Sequence, residues 1–228
     1  MSNRLGCSIR RAGFLAGLFV LASMTPVEGA TNPGTTPRET VAKIAEEFVS
    51  ALIKDADAVK QDPQRGVQLA HALLVPHLDF HRFARWVLGV HWRRATAEQR
   101  SRFVSEFTQS LVTTYATAMT SFVDEILSSS KSISYPPTRF REDDREATVP
   151  MRIRLANGSE AEVRYRMHRD ADRWLIYDVT VQGISLATTY RMSYDELIQK
   201  KGLDGVLSDM EARNRSGARP CPPGSLVC

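Results

Sequence analysis

The sequence predicts an α+β domain in which several helices cover one curved antiparallel sheet. Three observations point to it. Apolar residues recur at helical spacing from Val41 to Ile126. A two-residue alternation replaces that spacing between Val149 and Val181. The helical period then returns after Gly183. Helix, strand and helix blocks segregated in this way pack as helices against a sheet, whereas alternating blocks would form crossover units.

Capping residues set the helix starts. Thr36 caps the first, with Pro37 at its first position and Glu39 three residues after the cap. Val41, Ile44, Ala45, Phe48, Leu52 and Val59 form its apolar stripe. Asp62 and Pro63 open a second helix, which carries Val67, Ala70, Leu73 and Leu74 and ends before Pro76. Asp79 caps a short third helix through Phe83, Trp86, Val87 and Leu88, stopped at Gly89. Thr96 and Gln99 form another capping box, and the longest helix follows over residues 97–128. Its stripe of Phe103, Phe107, Leu111, Tyr115, Met119, Phe122 and Ile126 is the strongest helical signal in the chain.

The sheet is read as a meander of about four strands. Residues 133–140 form a strand that Pro136 and Pro137 interrupt, as at an edge or bulge. Along residues 146–155, Val149, Met151, Ile153 and Leu155 face one way, with Arg152 and Arg154 opposite. Asn157-Gly158 predicts a two-residue turn. Val163, Tyr165 and Met167 then alternate with Arg164, Arg166 and His168. A turn at Asp170-Ala171-Asp172 leads into the last strand, Trp174 to Val181. Beyond it a helix runs from Leu186 to Lys200, with a break expected near Ser193, where Glu196 completes a capping box. Gly202 ends that helix, and Asp204 to Arg213 forms a final short one. A curved sheet with helices across its mouth makes a cone, and the cone is expected to enclose an apolar pocket.

The chain ends read differently from the middle. Arg4, Arg10 and Arg11 precede an apolar run from Ala12 to Met24, which is too short to span a bilayer. This is the pattern of a secretory signal over residues 1–30, cleaved near Gly29 or Ala30. Residues 31–215 make one domain, and residues 216–228 a flexible tail rich in Pro and Gly. In an oxidising compartment Cys221 and Cys228 of that tail can pair as a disulfide.

A net charge of +4 is too weak to argue for nucleic acid, although it fits mild attraction to anionic lipid surfaces. The sequence holds no phosphate loop, nucleophile elbow or zinc-type Cys pair, so neither a cofactor nor a metal is expected. Pro76 and Asp79 place a helix start around His77 and His81, which keeps these two from sharing a metal-binding face. Glu142, Asp143, Asp144 and Glu146 alternate with Arg141 and Arg145, as in a solvated turn rather than a calcium loop. Asp178, inside the last strand, either points to solvent or pairs with an Arg of the neighbouring strand.

Two blocks carry a family resemblance. The first is Trp86 to Trp92 (WVLGVHW), followed by Arg93 to Arg100 (RRATAEQR) and by Phe103, Phe107, Leu111 and Tyr115. The second is Trp174 to Leu186 (WLIYDVTVQGISL), continued by Tyr190, Arg191 and Lys201 to Gly205 and closing near Arg213 and Asn214. Over residues 38–215 the chain resembles the MlaC family, the toluene-tolerance auxiliary component of a lipid transport system. The resemblance implies a soluble periplasmic phospholipid-binding protein. Such a protein passes lipid between an outer-membrane lipoprotein–porin complex and an inner-membrane ABC transporter complex with its substrate-binding membrane component, which maintains outer-membrane lipid asymmetry. The Cys-containing tail is not part of that pattern.

The shared faces, and where the family signature falls, give the expected lipid-binding residues. They are Phe107, Leu111 and Tyr115 on the long helix, Val149, Met151, Ile153, Val163, Tyr165 and Met167 on the sheet, and Ile184 and Leu186 after it. The opposite sheet face, with Trp174 and Ile176, is the alternative lining. Arg139 and Arg191 are candidates to meet a head-group phosphate. Two other classes stay open: an enzyme on an apolar substrate with Asp178 as its base, and a periplasmic adaptor with a filled core and no ligand.

Overall fold

The capping residues start the helices where the sequence places them. A computed structural model describes residues 35–216 except 122 and 156, without the side chains of residues 118–122. The expected signal, the two tail cysteines, and Met119 and Phe122 of the long stripe lie outside the described residues. Helix α1 spans Pro37–Gln61, and Thr36 and Glu39 bond reciprocally at its start, at 2.9 and 3.2 Å. Asp62 accepts from Gln64 N at 2.9 Å and opens α2, Pro63–Leu73. Asp79 accepts from Arg82 N at 2.8 Å and opens α3, Phe80–Leu88. Gly89, at φ 51°, turns the chain into the short α4, Val90–Arg94. Thr96 and Gln99 form the next capping box, at 3.0 and 3.1 Å. The long helix they begin is α5, Ala97–Ser121, followed beyond residue 122 by α6, Val123–Ser129.

The sheet is an open antiparallel meander of five strands in chain order: β1 Ile133–Ser134, β2 Glu146–Arg154, β3 Glu160–Asp170, β4 Arg173–Val181 and β5 Ile184–Ser185. Three differences from the expectation have local causes. The strand expected over 133–140 is only two residues long; Pro136 and Pro137 have no N–H to give a ladder. The β2–β3 turn is longer than two residues, with Leu155 N donating to Ser159 O and Gly158 N to Leu155 O, each at 2.9 Å. A tight Asn-Gly turn needs positive φ at both residues, and only Gly158 has it. The fifth strand follows a turn in which Gln182 and Gly183 both have positive φ, 49° and 83°, the conformation that folds a hairpin back at once.

Helix α7, Leu186–Ser216, runs through Ser193 without the expected break. The Ser193 hydroxyl donates back to Thr189 O at 3.2 Å, so it satisfies its own helix and caps no new one. The break falls at Gly202, at φ 72° and ψ 167°.

Four apolar clusters hold the fold, and two of them, one aromatic and one on the sheet, position the site. Phe107 is stacked on Phe103 at 5.4 Å and edge-on to Phe83 and Tyr190, each at 5.3 Å. These rings bind α3, α5 and α7 together. Val41 and Ile44 of α1 pack on Ala147, Val149, Met167, Trp174 and Ile176 of the sheet. Among the described residues no helix is long and apolar enough to cross a membrane.

Gly202 occupies a backbone region that is nearly closed to other residues, at a cost of about 1–3 kcal/mol. An added Cβ would meet nothing within 4 Å, so that cost is purely conformational. Gly202→Ala is expected to lower the urea-unfolding free energy by about 1–3 kcal/mol, with the far-ultraviolet spectrum unchanged.

Candidate functional site

The strand register sorts the sheet into two unlike faces. Val149 faces Tyr165 and then Val179 across the ladder, and Met151 faces Val163 and then Val181. Ala147, Met167 and Ile176 form the next row. All lie on one apolar face. On the other, Thr148, Arg166 and Asp178 are paired, as are Pro150, Arg164 and Thr180.

A bulge makes the apolar face continuous. The register shifts between Arg166 and Met167, because Tyr177 is an extra residue in β4. Ile176 and Val179, three apart in sequence, therefore point the same way. This corrects the two-face alternative: Trp174 and Ile176 join Val149 and Met167 in one cluster rather than lining an opposite face. The run Trp174-Leu175-Ile176-Tyr177 is apolar throughout, so no alternation in the sequence marks which of these residues share a face.

The apolar face is not evenly filled. Val149 and Met167 have no accessible surface, whereas Ile153, Tyr165 and Val179 keep some. The Tyr165 hydroxyl sits 3.8 Å from Met151 Sδ. Burial pushes its phenol far above the ordinary value.

The other expected lining residues have other neighbours. Phe107 and Leu111 lie within the aromatic cluster, and Tyr115 and Leu186 pack against it. The Tyr115 hydroxyl is buried without a hydrogen bond of full geometry, and burial raises its pKa. Ile184 stands 64% exposed at the sheet edge. Arg139 lines a groove on the polar sheet face. Arg191 is exposed elsewhere, with its guanidinium against Gly89.

Asp178 is 1% exposed and fully engaged. It accepts from Ser185 Oγ at 2.7 Å and from Ala187 N at 3.0 Å at the start of α7, and Arg166 of β3 stands at 3.8 Å. The carboxylate thus pairs with the neighbouring strand, as one sequence reading allowed, and caps a helix. Asp79 does comparable work at α3, capping through one oxygen and holding His168 Nε2 at 2.7 Å through the other. Sequence reasoning missed this second role, which depends on β3 and α3 meeting. His77 lies in a separate 3₁₀ turn and His81 in α3. Among the described residues no three metal-ligating side chains gather.

An open sheet, apolar on one face and covered there by a helix, defines a class of α+β domain built to exclude water from one side of a meander. Comparison with known proteins places the chain within that class. The MlaC protein family profile matches residues 42–212, and the chain belongs to that family. It is 25% identical over 189 residues to toluene tolerance protein ttg2D of Pseudomonas putida, covering 82% of this chain and 84% of that protein. Identity to the intermembrane phospholipid transport system binding protein MlaC of Haemophilus influenzae is 23% over 180 residues, covering 78% and 81% respectively. The solved structure of a phospholipid-binding protein from Ralstonia solanacearum in complex with a phospholipid has a TM-score of 0.68 and 26% identity. It covers 78% of this chain and 97% of that one.

Two outcomes follow. Asp178→Ala leaves Arg166, Ser185 and the first turn of α7 without their acceptor. It should cost about 3 kcal/mol of stability, measured by urea unfolding, and Asp178→Asn should recover part of it. Burial raises the phenol pKa of Tyr165, Tyr190 and Tyr194 in the folded state. Their share of stability is fully present below the unfolded value near ~10 and is lost as pH climbs towards the folded values. Tyrosinate absorbance should therefore rise in step with alkaline unfolding.

Proposed function

We propose that this protein is a periplasmic phospholipid carrier that holds acyl chains against the apolar face of its sheet. The supporting observation is the continuous apolar surface from Ile153 through Met151, Val163, Tyr165 and Val179, of which Ile153, Tyr165 and Val179 keep accessible surface. Membership of the MlaC family and likeness to a phospholipid-bound structure support the same reading.

The physical requirement is steep. Each methylene left in water costs about 0.8 kcal/mol, so an acyl chain of ~15 methylenes faces about 12 kcal/mol. An enclosed apolar cavity removes that penalty. Transfer from bilayer to cavity is then nearly balanced, and the barrier lies in crossing water between them. Docking the mouth of the cavity on a membrane complex removes the crossing. In this reading the carrier exchanges lipid with an outer-membrane lipoprotein–porin complex and an inner-membrane ABC transporter complex. Met151, beside the partly accessible Tyr165, suits a wall that accepts varied chains.

Native mass spectrometry of the gently purified protein is expected to show co-purified phospholipid. Ile153→Glu, at a partly accessible position, should lose most of that load while retaining the native circular dichroism spectrum. A lipid-free wild-type protein, or a fully loaded Ile153→Glu variant, is the result that overturns the proposal.

A further inference from the structure

The polar face of the sheet carries a feature that lipid burial does not use. A groove of about 910 Å³ runs between the Pro136–Arg139 segment and the outward side chains of β2, β3 and β4. Arg139, Arg152, Arg164 and Arg166 line it, and among the described residues Glu146 and Glu162 are its acids. Both acids are already neutralised. Glu146 is paired with Arg82 and lies 3.4 Å from the Tyr177 hydroxyl, and Glu162 is paired with Arg164 at 2.5 Å.

The remaining guanidinium groups are held differently. Arg166 is paired with Asp178 at 3.8 Å and lies over the rings of Trp86 and Tyr177, at 4.6 and 5.0 Å. Among the described residues Arg139 and Arg152 have no ion-pair or hydrogen-bond partner. The two exposed, unpartnered guanidinium groups of Arg139 and Arg152 favour an acceptor-rich occupant.

We propose that this groove docks an acidic segment of a partner protein. Its excess of positive charge selects carboxylates, and its concave form fits an extended chain better than it fits a flat bilayer. The surface continues onto Trp86, which is 40% exposed and touches Arg166. Trp and Arg are the residue types enriched at the energetic centre of protein interfaces. Docking here leaves the apolar face of the sheet free, so a carrier can hold lipid on one side and its partner on the other. The inference rests on the carrier reading only for what the docked partner would do.

The test uses the full mature chain and a fluorescein-labelled decaglutamate peptide at low salt. Wild type is expected to bind it, and the double variant Arg152→Glu/Arg164→Glu to bind about tenfold more weakly. Lys43→Glu/Lys54→Glu, the same charge change on α1, should bind like wild type. Equal weakening in the two variants shows only net-charge attraction and overturns the proposal, as does absence of binding by wild type. Phosphatidylglycerol vesicles are run in parallel. If they, and not the peptide, are bound in a way that Arg152→Glu/Arg164→Glu abolishes, the face is a membrane surface and the proposal fails. Native mass spectrometry of this variant should give a wild-type lipid load. A lipid-free wild type that still binds the peptide through the groove would sink the carrier reading while leaving the docking site in place.

Discussion

A meander that is apolar on one side and charged on the other must be covered by two different kinds of contact, and the rest of this structure follows from that need. On the apolar side, α1 supplies Val41 and Ile44, and the energy comes from area removed from water. On the polar side, α3 and α7 are tied down by directed bonds. Asp79 holds His168, Arg82 pairs with Glu146, and Asp178 anchors the start of α7. Hydrophobic cover tolerates incomplete contact because it has no preferred direction. Directed bonds do not, since a buried polar group left without a partner costs about 1–3 kcal/mol.

The bulge at Tyr177 lets both kinds of cover meet one strand. It turns Ile176 and Val179 to the apolar side and leaves Tyr177 and Asp178 buried under α3 and α7. Tyr177 then takes the Arg82 guanidinium over its ring at 4.3 Å. Just upstream, Asp79 N donates to Ile176 O at 2.8 Å, and Leu78 reaches into the apolar cluster while Asp79 stays with His168. The chain thus passes from one face of the sheet to the other at the point where β4 is irregular.

This division suits a protein whose proposed task is to keep one surface dry while meeting partners with another. The helical cluster around Phe107 is densely aromatic and includes the fully buried Phe103 and Leu207. On the sheet face, Met and Tyr side chains sit beside branched aliphatic ones. A membrane partner that touched only the charged side would leave the contents of the apolar side undisturbed until the mouth was aligned with it.

Much of the fold was legible in the sequence because it rests on local chemistry. Thr36 with Glu39, Asp62, Asp79 and Thr96 with Gln99 each satisfy N–H groups within three residues, so their positions alone locate the helix starts. The alternation from Val149 to Met167 likewise gives the side of β2 and β3 that faces inward, and the two family blocks point to the lineage. Other features depend on elements distant in sequence. The continuity of Trp174 and Ile176 with Val149, the confinement of Phe107 and Leu111 to a helical cluster, and the engagement of Asp178 by Ser185, Ala187 and Arg166 could not be read from spacing. A bulge reverses the side on which every later residue of its strand falls. Which helix face meets which neighbour is settled only when all the apolar surfaces compete for burial at once, and that competition takes place in three dimensions.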